Sequence, residues 1–516
     1  MKKQRVFWIL TLSFFALQIV AELMLGISVA RLDMLPNTYW WLFVCVLGVL
    51  ALGIGVLGLF RLPNKHVSVV RRCIAAVMSL LIAIGCFFVW KATEQVYATI
   101  EEIVATDPTV PSRAVFVRVE DQAVTLDDTK GYVYGITTDY DAESCSNVRM
   151  TLEECFGVSL TVSEFQGATA MVDALLNGQV DAIILNSGYL TVMEEQEKYQ
   201  DIMVKLRLVE QIPLVERQTS EESGSAQQPT TQPTEPAIED KTENTPFIIY
   251  FSGLDVRGKK LSVSRSDVNI LAVVNPNTKQ ILLVNTPRDY YVAHPDSAYG
   301  TKDKLTHLGI YGIECSVKGL EMLYGIHVDY YAQVNFSGFE ALIDAVGGIT
   351  VYSDHSFTAY DDFVVPAYIQ KGVNNFNGRE ALVFARDRYH QPAGDNDRGK
   401  NQMKVIQAVI SKVTSASTIV ANYSEVLSSM SGMFKTSIPM DVVSSLVKTQ
   451  LSDMASWSVQ TYAVTGTGGS STTYSMPDFR AYVTYPNEDS VAFASDLINR
   501  VLSGEKLTDD SVKFPQ

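Results

Sequence analysis

The sequence predicts an α/β protein mounted on three membrane-spanning helices, and three observations carry that prediction. Hydrophobic residues make up 47% of the chain and charged residues only 19%, a balance that points to segments lying in lipid. A tract at 217–244 is rich in Ser, Thr, Gln, Pro and Glu without apolar periodicity, and it separates a small segment before it from a large one after it. In both segments, apolar runs of strand length alternate with stretches of helical period, the pattern of helices layered on a sheet. The expected division is residues 1–91 as a three-span anchor, 105–216 as a small α/β accessory domain, 217–244 as a solvated linker, 245–504 as a larger α-β-α layered domain and 505–516 as a tail.

The anchor rests on apolar stretches at about 6–30, 39–60 and 73–90, each long enough to cross a hydrocarbon core of ~30 Å at ~1.5 Å per helical residue. Lys2, Lys3 and Arg5 precede the first stretch, and Arg61, Lys65, Arg71 and Arg72 lie between the second and third, whereas the loop after the first offers only Arg31 beside Asp33. Basic loops stay in the cytoplasm. The N-terminus is therefore expected inside and both domains after Trp90 outside, in a multi-pass protein of the cell membrane. A cleaved signal peptide would need a small-residue cleavage site after the first stretch, and two more spans come after it. Gly53, Gly55 and Gly58 match a dinucleotide fingerprint but lie within a span, where close helix packing is the better reading. Residues 1–91 hold nine Lys or Arg against two acids, which leaves 32 against 55 for the remainder. So acidic a remainder argues against nucleic acid as a partner, and an anion site there has to be built from a few placed arginines.

In the accessory domain, residues 131–137 read as a strand, 168–176 as an amphipathic helix ending near Gly178, and 180–185 as a buried apolar strand. Its helix-to-strand turn resembles those of solute-binding proteins over a short run only, and an accessory α/β domain without a ligand is the preferred reading. Cys145 and Cys155 could close a short disulfide or stand as separate thiols. Cys315, without an obvious partner, reads as a buried thiol, and no Cys or His cluster has zinc-ligand spacing.

In the large domain, residues 247–251, 269–274, 281–284 and 328–334 are strand candidates, and 305–324, 336–345 and 398–413 are helix candidates. Charge falls at their ends. Asp255 follows the first strand, Ser264-Arg265-Ser266-Asp267 leads into the second, and Thr286-Pro287-Arg288-Asp289 follows the third. Such sets can converge on one sheet edge, where open α/β sheets bind ligands; taken singly, each also fits a solvated ion pair.

Further on come Ala385-Arg386-Asp387-Arg388-Tyr389 and the run 394–402. In extended chain Arg386 and Arg388 would point to the same side. Arg398 and Gln402 head the apolar stripe Val405, Ile406, Val409 and Val413, and an arginine on a buried helical face needs a carboxylate or a bound anion. An internal pair with Asp395 or Asp397 is one solution. A helix N-terminus that binds an anion is the other. Several arginines together imply a multiply charged oxyanion, which guanidinium groups grip in bidentate fashion. Carboxylates among them suggest Mg²⁺, with Mn²⁺ as an alternative, sharing its shell with phosphates. Pyrophosphate meets both requirements.

These sets, together with Lys302-Asp303-Lys304-Leu305-Thr306-His307, closely resemble the LytR-CpsA-Psr family, in order, over most of residues 247–415. With three spans and an extra domain, the chain is similar to the capsule-type CpsA branch. The resemblance implies that the large domain is a catalytic phosphotransferase. It would move a glycopolymer, whether capsule, teichoic acid or similar, from a polyprenyl-pyrophosphate carrier to peptidoglycan through a phosphodiester. It implies Asp255 and Asp267 as metal ligands, and Arg265, Arg288, Arg386, Arg388, Arg398 and Gln402 as pyrophosphate contacts. Lys304 matches a motif position and joins that contact set. Asp395, also at a motif position, is a candidate general base, with Arg288 and Arg398 the catalytic arginines that would stabilise developing charge.

Three rivals use the same residues differently. A lipid-pyrophosphate hydrolase would take water as acceptor, and a non-catalytic wall-polymer receptor or sensor would bind without turnover. A transcriptional regulator is disfavoured, because the expected topology leaves only short basic segments in the cytoplasm.

Overall fold

The structure is a computed structural model that describes residues 2–59, 65–104, 112–138, 142–213, 245–261, 263–297, 300–361, 365–392, 394–414 and 431–514. The linker expected at 217–244 lies outside the described residues. Three helices, α1 (Lys2–Leu32), α2 (Asn37–Leu59) and α3 (Lys65–Val104), form the N-terminal part, and each is long and apolar enough to cross a membrane. A Cβ on Gly58 would stand 2.9 Å from Thr11 Cγ2, so the glycine lets α2 close on its neighbour.

α3 runs 14 residues past the expected end at 90, because the Ala-, Glu- and Gln-bearing stretch beyond Trp90 favours helix and holds no Gly or Pro. This extension meets the large domain. Met34, Val96 and Ile100 pack against Met440, Val443 and Val447, Ser444 Oγ donates to the Leu32 carbonyl at 2.8 Å, and Lys448 pairs with Asp33 at 2.8 Å.

The small domain is a five-stranded sheet of β1 (Ser112–Arg118), β2 (Val133–Thr137), β3 (Thr161–Phe165), β4 (Ala182–Leu185) and β5 (Leu206–Pro213), in the order β3-β2-β4-β1-β5. Alternation decides its faces. Ala114, Phe116, Ile183 and Leu185 pack with α5 (Ala168–Leu176), while Val115, Val117, Ala182 and Ile184 pack with α4 (Ala142–Phe156). Cys145 is buried, Cys155 is exposed, and both are free thiols.

The large domain is built on a six-stranded sheet. β6 (Phe247–Leu254), β7 (Ser266–Asn275) and β8 (Gln280–Asn285) form two antiparallel hairpins at its centre. Outside them lie β9 (Tyr330–Asn335), β10 (Phe434–Thr436) and β11 (Ser458–Ala463), giving the order β10-β9-β6-β7-β8-β11. Alternate residues again face two layers. Ile248, Tyr250, Leu271, Val273, Leu282 and Val284 pack under α7 (Ile313–Tyr324) and α12 (Glu488–Leu502). Ile249, Ile270, Ala272, Ile281 and Leu283 pack under α10 (Asp395–Val413) and α11 (Met440–Asp453). Two further helices, α8 (Phe336–Ala345) and α9 (Gly378–Arg386), close a third core over two nested antiparallel strand pairs.

The single helix expected over 305–324 is broken. A short helix, Leu305–Leu308, and a turn, Gly309–Tyr311, precede α7, because Gly312 sits at φ 106°, a conformation that glycine alone adopts cheaply. The pairings Leu254↔Ser266 and Ile270↔Asn285 put the end of β6, the start of β7 and the end of β8 on one edge of the sheet. That edge is where the charged sets meet.

Candidate functional site

A cavity of about 640 Å³ opens at this edge, and Asp255, Arg265, Asp267, Arg288, Arg386, Arg388, Arg398 and Gln402 all line it. Chain reversal between β6 and β7 brings Arg265 Nη2 within 2.6 Å of Asp255 Oδ2. On the next pair of strands, Arg288 Nη1 donates to Asp267 Oδ2 at 2.6 Å, and Thr306 Oγ1 donates to Oδ1 at 3.0 Å. Burial pushes the Asp267 carboxyl up, but the charges of Arg288, Arg265 and Arg398 outweigh it and hold the group below the usual carboxylate range.

α9 and α10 supply the opposite wall. Arg386 lies in the last turn of α9 rather than in extended chain, since the side chain of Asn377 and that of Glu380 cap each other's backbone and start a helix that runs to 386. Its guanidinium stands 4.4 Å from the ring centroid of Phe336, close enough for a cation–π contact. Arg388 falls beyond the helix end, exposed and beside the Tyr389 hydroxyl at 3.1 Å. α10 begins at Asp395, three positions earlier than expected, and places Arg398 and Gln402 on the buried face at 7% and 8% exposure. A Cβ on Gly399 would collide with the side-chain amide of Asn285, so this glycine lets the first turn of α10 approach β8. Asp397 pairs with Lys400 at 2.9 Å. The side chain of Asp395 lies outside the described residues.

Lys304 differs from the other predicted contacts, because it is not among the residues lining the cavity. Its side chain is 3% exposed, and its Nζ lies 2.6 Å from Glu195 and 3.3 Å from Asp289. Glu195 belongs to the small domain. There α6 (Ser187–Met193) docks on the large domain: Asn186 Nδ2 donates to the Ile310 carbonyl at 2.6 Å, the Tyr189 and Tyr311 hydroxyls meet at 2.9 Å, and a Cβ on Gly188 would stand 2.6 Å from that of Ile310. The residues after α6, Glu194 and Glu195, thereby reach the cavity. Burial pushes the Glu194 carboxyl up, with Arg265 opposing and Asp255 adding to the shift.

These two glutamates escaped the sequence reading, as did Arg257, which grips Glu340 at 3.1 Å on the cavity rim. An acidic pair after a short apolar helix is an ordinary surface sequence. Nothing local marks it as part of a site in another domain. The crevice at the strand ends of the small sheet, by Thr137, Gly167 and Leu185, is closed by Met476 and Phe479 of the large domain, leaving about 20 Å³.

Asp255 and Asp267 offer hard carboxylate oxygens on the cavity wall, a donor set that suits Mg²⁺ completed by phosphate and water. Among the described residues, the one grouping of three or more metal-ligating side chains is His294, Asp296 and Cys315, away from the cavity. There the Asp296 amide donates to His294 Nδ1 at 3.2 Å and the imidazole stacks on Tyr474 at 3.8 Å. Burial lowers the His294 pKa and raises that of the Cys315 thiol, both shifts favouring the uncharged forms.

A sequence profile of the LytR_cpsA_psr family matches residues 214–485 of this chain. The polyisoprenyl-teichoic acid–peptidoglycan teichoic acid transferase TagU of Enterococcus faecalis is 34% identical over 199 residues, which cover 38% of this chain and 63% of that protein. The protein of the same name from Bacillus subtilis is 35% identical over 217 residues, covering 42% and 63%. The matched stretches thus span less than two thirds of the length of these relatives. Among solved structures, B. subtilis TagV aligns over 51% of this chain and 99% of its own with a TM-score of 0.43 and 25% identity. TagT bound to LI-WTA aligns over 52% and 94% with a TM-score of 0.40 and 25% identity.

Proposed function

Because this chain belongs to the LytR_cpsA_psr family, we propose that it transfers a glycopolymer from a polyprenyl-pyrophosphate carrier to peptidoglycan. The observation that carries this reading is the gathering of Arg265, Arg288, Arg386, Arg388 and Arg398 with Gln402, Asp255 and Asp267 around one cavity. A planar guanidinium matches phosphate oxygens in pairs and stays ionised at every accessible pH. Five of them around one space suit a diphosphate better than a single carboxylate or sugar hydroxyl.

In the proposed reaction, a peptidoglycan hydroxyl attacks the sugar-proximal phosphorus. The bond from that phosphorus to the oxygen of the lipid phosphate breaks, and lipid monophosphate leaves. Arg288 and Arg398 face the charge that grows on the transferred and leaving oxygens. Asp395, at the start of the helix that carries Arg398, is the proposed acceptor of the hydroxyl proton. Asp255 and Asp267 would hold Mg²⁺, whose chemistry is to neutralise phosphate charge.

Teichoic acid, named for the TagU relatives, is the first donor to test; capsule is the second. The full chain in detergent, supplied with a defined lipid-pyrophosphate donor, peptidoglycan oligomers and Mg²⁺, should yield a phosphodiester-linked product by mass spectrometry. Release of free glycopolymer phosphate and lipid monophosphate without linked product would replace the transferase reading with a hydrolase.

The distribution of basic loops supports a cytoplasmic N-terminus with both folded domains outside. Cys155 offers a native test, being exposed on the small domain, while Cys145 and Cys315 are buried. A membrane-impermeant maleimide should label it on intact protoplasts. Labelling only after lysis would invert the topology.

A further inference from the structure

Five side chains of alternating charge run along one side of the cavity in an arc: Arg265, Glu195, Lys304, Asp289 and Arg288. Successive charged atoms lie 3.8, 2.6, 3.3 and 3.6 Å apart. All five are held largely away from water, with side-chain exposures of 15%, 17%, 3%, 11% and 15% in that order, so these attractions are weakly screened.

Arg265, Glu195 and Arg288 line the cavity; Lys304 at the centre of the arc and Asp289 do not. Glu195 is gripped from behind as well. His307 Nε2 lies 3.3 Å from it, and the other ring nitrogen meets Asp303 at 2.9 Å and Ser475 Oγ at 2.8 Å. The docked helix α6 fixes the backbone that delivers it.

We propose that Glu195 and Lys304 are a positioning pair, through which the small domain completes the transfer site by fixing Arg265 and Arg288, and that Lys304 is not itself a phosphate contact. This deepens the pyrophosphate reading above and rests on it. Arg265 and Arg288 also pair with Asp255 and Asp267, the carboxylates assigned to the metal. The arc gives each arginine a second carboxylate that the metal does not claim: Glu195 for Arg265, Asp289 for Arg288. Lys304 ties those two carboxylates together.

The sign of one substitution separates this from simple electrostatics. Removing a negative charge beside a cationic cavity should tighten anion binding by field alone. Loss of a positioning carboxylate should weaken it. The test is calorimetric binding of geranylgeranyl pyrophosphate with Mg²⁺ to the full chain in detergent, with thermal melting of every variant.

Expected is about tenfold weaker binding for Glu195→Gln, the usual scale for one charge-assisted contact, and weakening in the same direction for Asp289→Asn at the far end of the arc. The double variant Glu195→Gln/Lys304→Met should bind no more weakly than Lys304→Met alone. Glu197→Gln, an exposed neighbour, should match the unsubstituted chain. Tighter or unchanged binding for both Glu195→Gln and Asp289→Asn overturns the inference, as do losses at Glu195 and Lys304 that multiply. No binding by the unsubstituted chain removes the pyrophosphate reading and this inference with it, whereas binding there with indifferent variants removes this inference alone.

Discussion

In the arginine wall of the cavity, cations pair with carboxylates close by on the same sheet edge, Arg265 with Asp255 ten positions away and Arg288 with Asp267 twenty-one away. At the domain junction, Lys304 and His307 reach Glu195 across 109 and 112 positions and between two sheets. The first design keeps guanidinium groups on the cavity wall; the second buries the ammonium at 3% exposure behind a carboxylate. On the proposed reading, one wall meets a ligand and the other holds that arrangement still. Substitutions in the first should therefore cost chemistry while the fold survives, and substitutions in the second should cost stability too.

The largest separation is expected for Arg288→Ala. Linked product should fall by roughly 10²–10³, the loss of one preorganised charge contact in a transition state, with a smaller drop in melting temperature than Lys304→Met gives, because Arg288 is less buried than Lys304. A variant that transfers polymer normally would break the comparison on its chemical side. Lys304→Met tests the other side, since it leaves Glu195 without its ammonium. Breaking a buried pair costs about 3 kcal/mol, so a clear drop in melting temperature is expected, and an unchanged melt would show that the junction is not held by charge.

Gly188→Ala probes the same junction by packing alone. Its Cβ would stand 2.6 Å from that of Ile310, and overpacking of this kind costs about 1–3 kcal/mol. Acid titration sharpens the electrostatic part. Burial pushes the Glu195 carboxyl up, but His307 and then Lys304 outweigh it and hold the group well below the ordinary glutamate value of 4.5. A depressed carboxylate contributes stability that is present above its unfolded pKa and lost as pH falls through the folded one. The parent should therefore lose stability more steeply below pH 4.5 than Glu195→Gln does, the window starting at that unfolded value. Equal acid slopes would remove the pair from the energetics. The smallest effect is reserved for Lys198→Met, which breaks an exposed pair with Asp173 on the small domain. A change beyond about 0.5 kcal/mol in thermal unfolding would contradict the contrast between exposed and buried pairs.

The same contrast explains what the sequence could disclose. Unbroken apolar runs such as those of 270–274 and 281–284 announce a sheet covered on both faces, and the arginine sets sit at strand and helix ends that local pattern can locate. Arg398 and Gln402 were legible because four-residue spacing put polar groups above an apolar stripe. Lys304 was placed with the phosphate contacts because its neighbours carry a family pattern; its actual partner comes from another domain, and no periodicity records that distance. Glu194 and Glu195 were illegible for the same reason. The break at Gly312 and the helical setting of Arg386 depended on a left-handed glycine and a reciprocal cap, features of turn chemistry that an apolar pattern passes over.

In the proposed reaction the arginine-lined cavity directs attack onto the sugar-proximal phosphorus. A donor carrying ³²P at that position, incubated with the full chain, peptidoglycan and Mg²⁺, tests it most directly. The label should appear in peptidoglycan-linked product, with unlabelled lipid monophosphate released, and neither should form with Arg288→Ala. Label recovered in lipid phosphate or as inorganic phosphate would contradict the account.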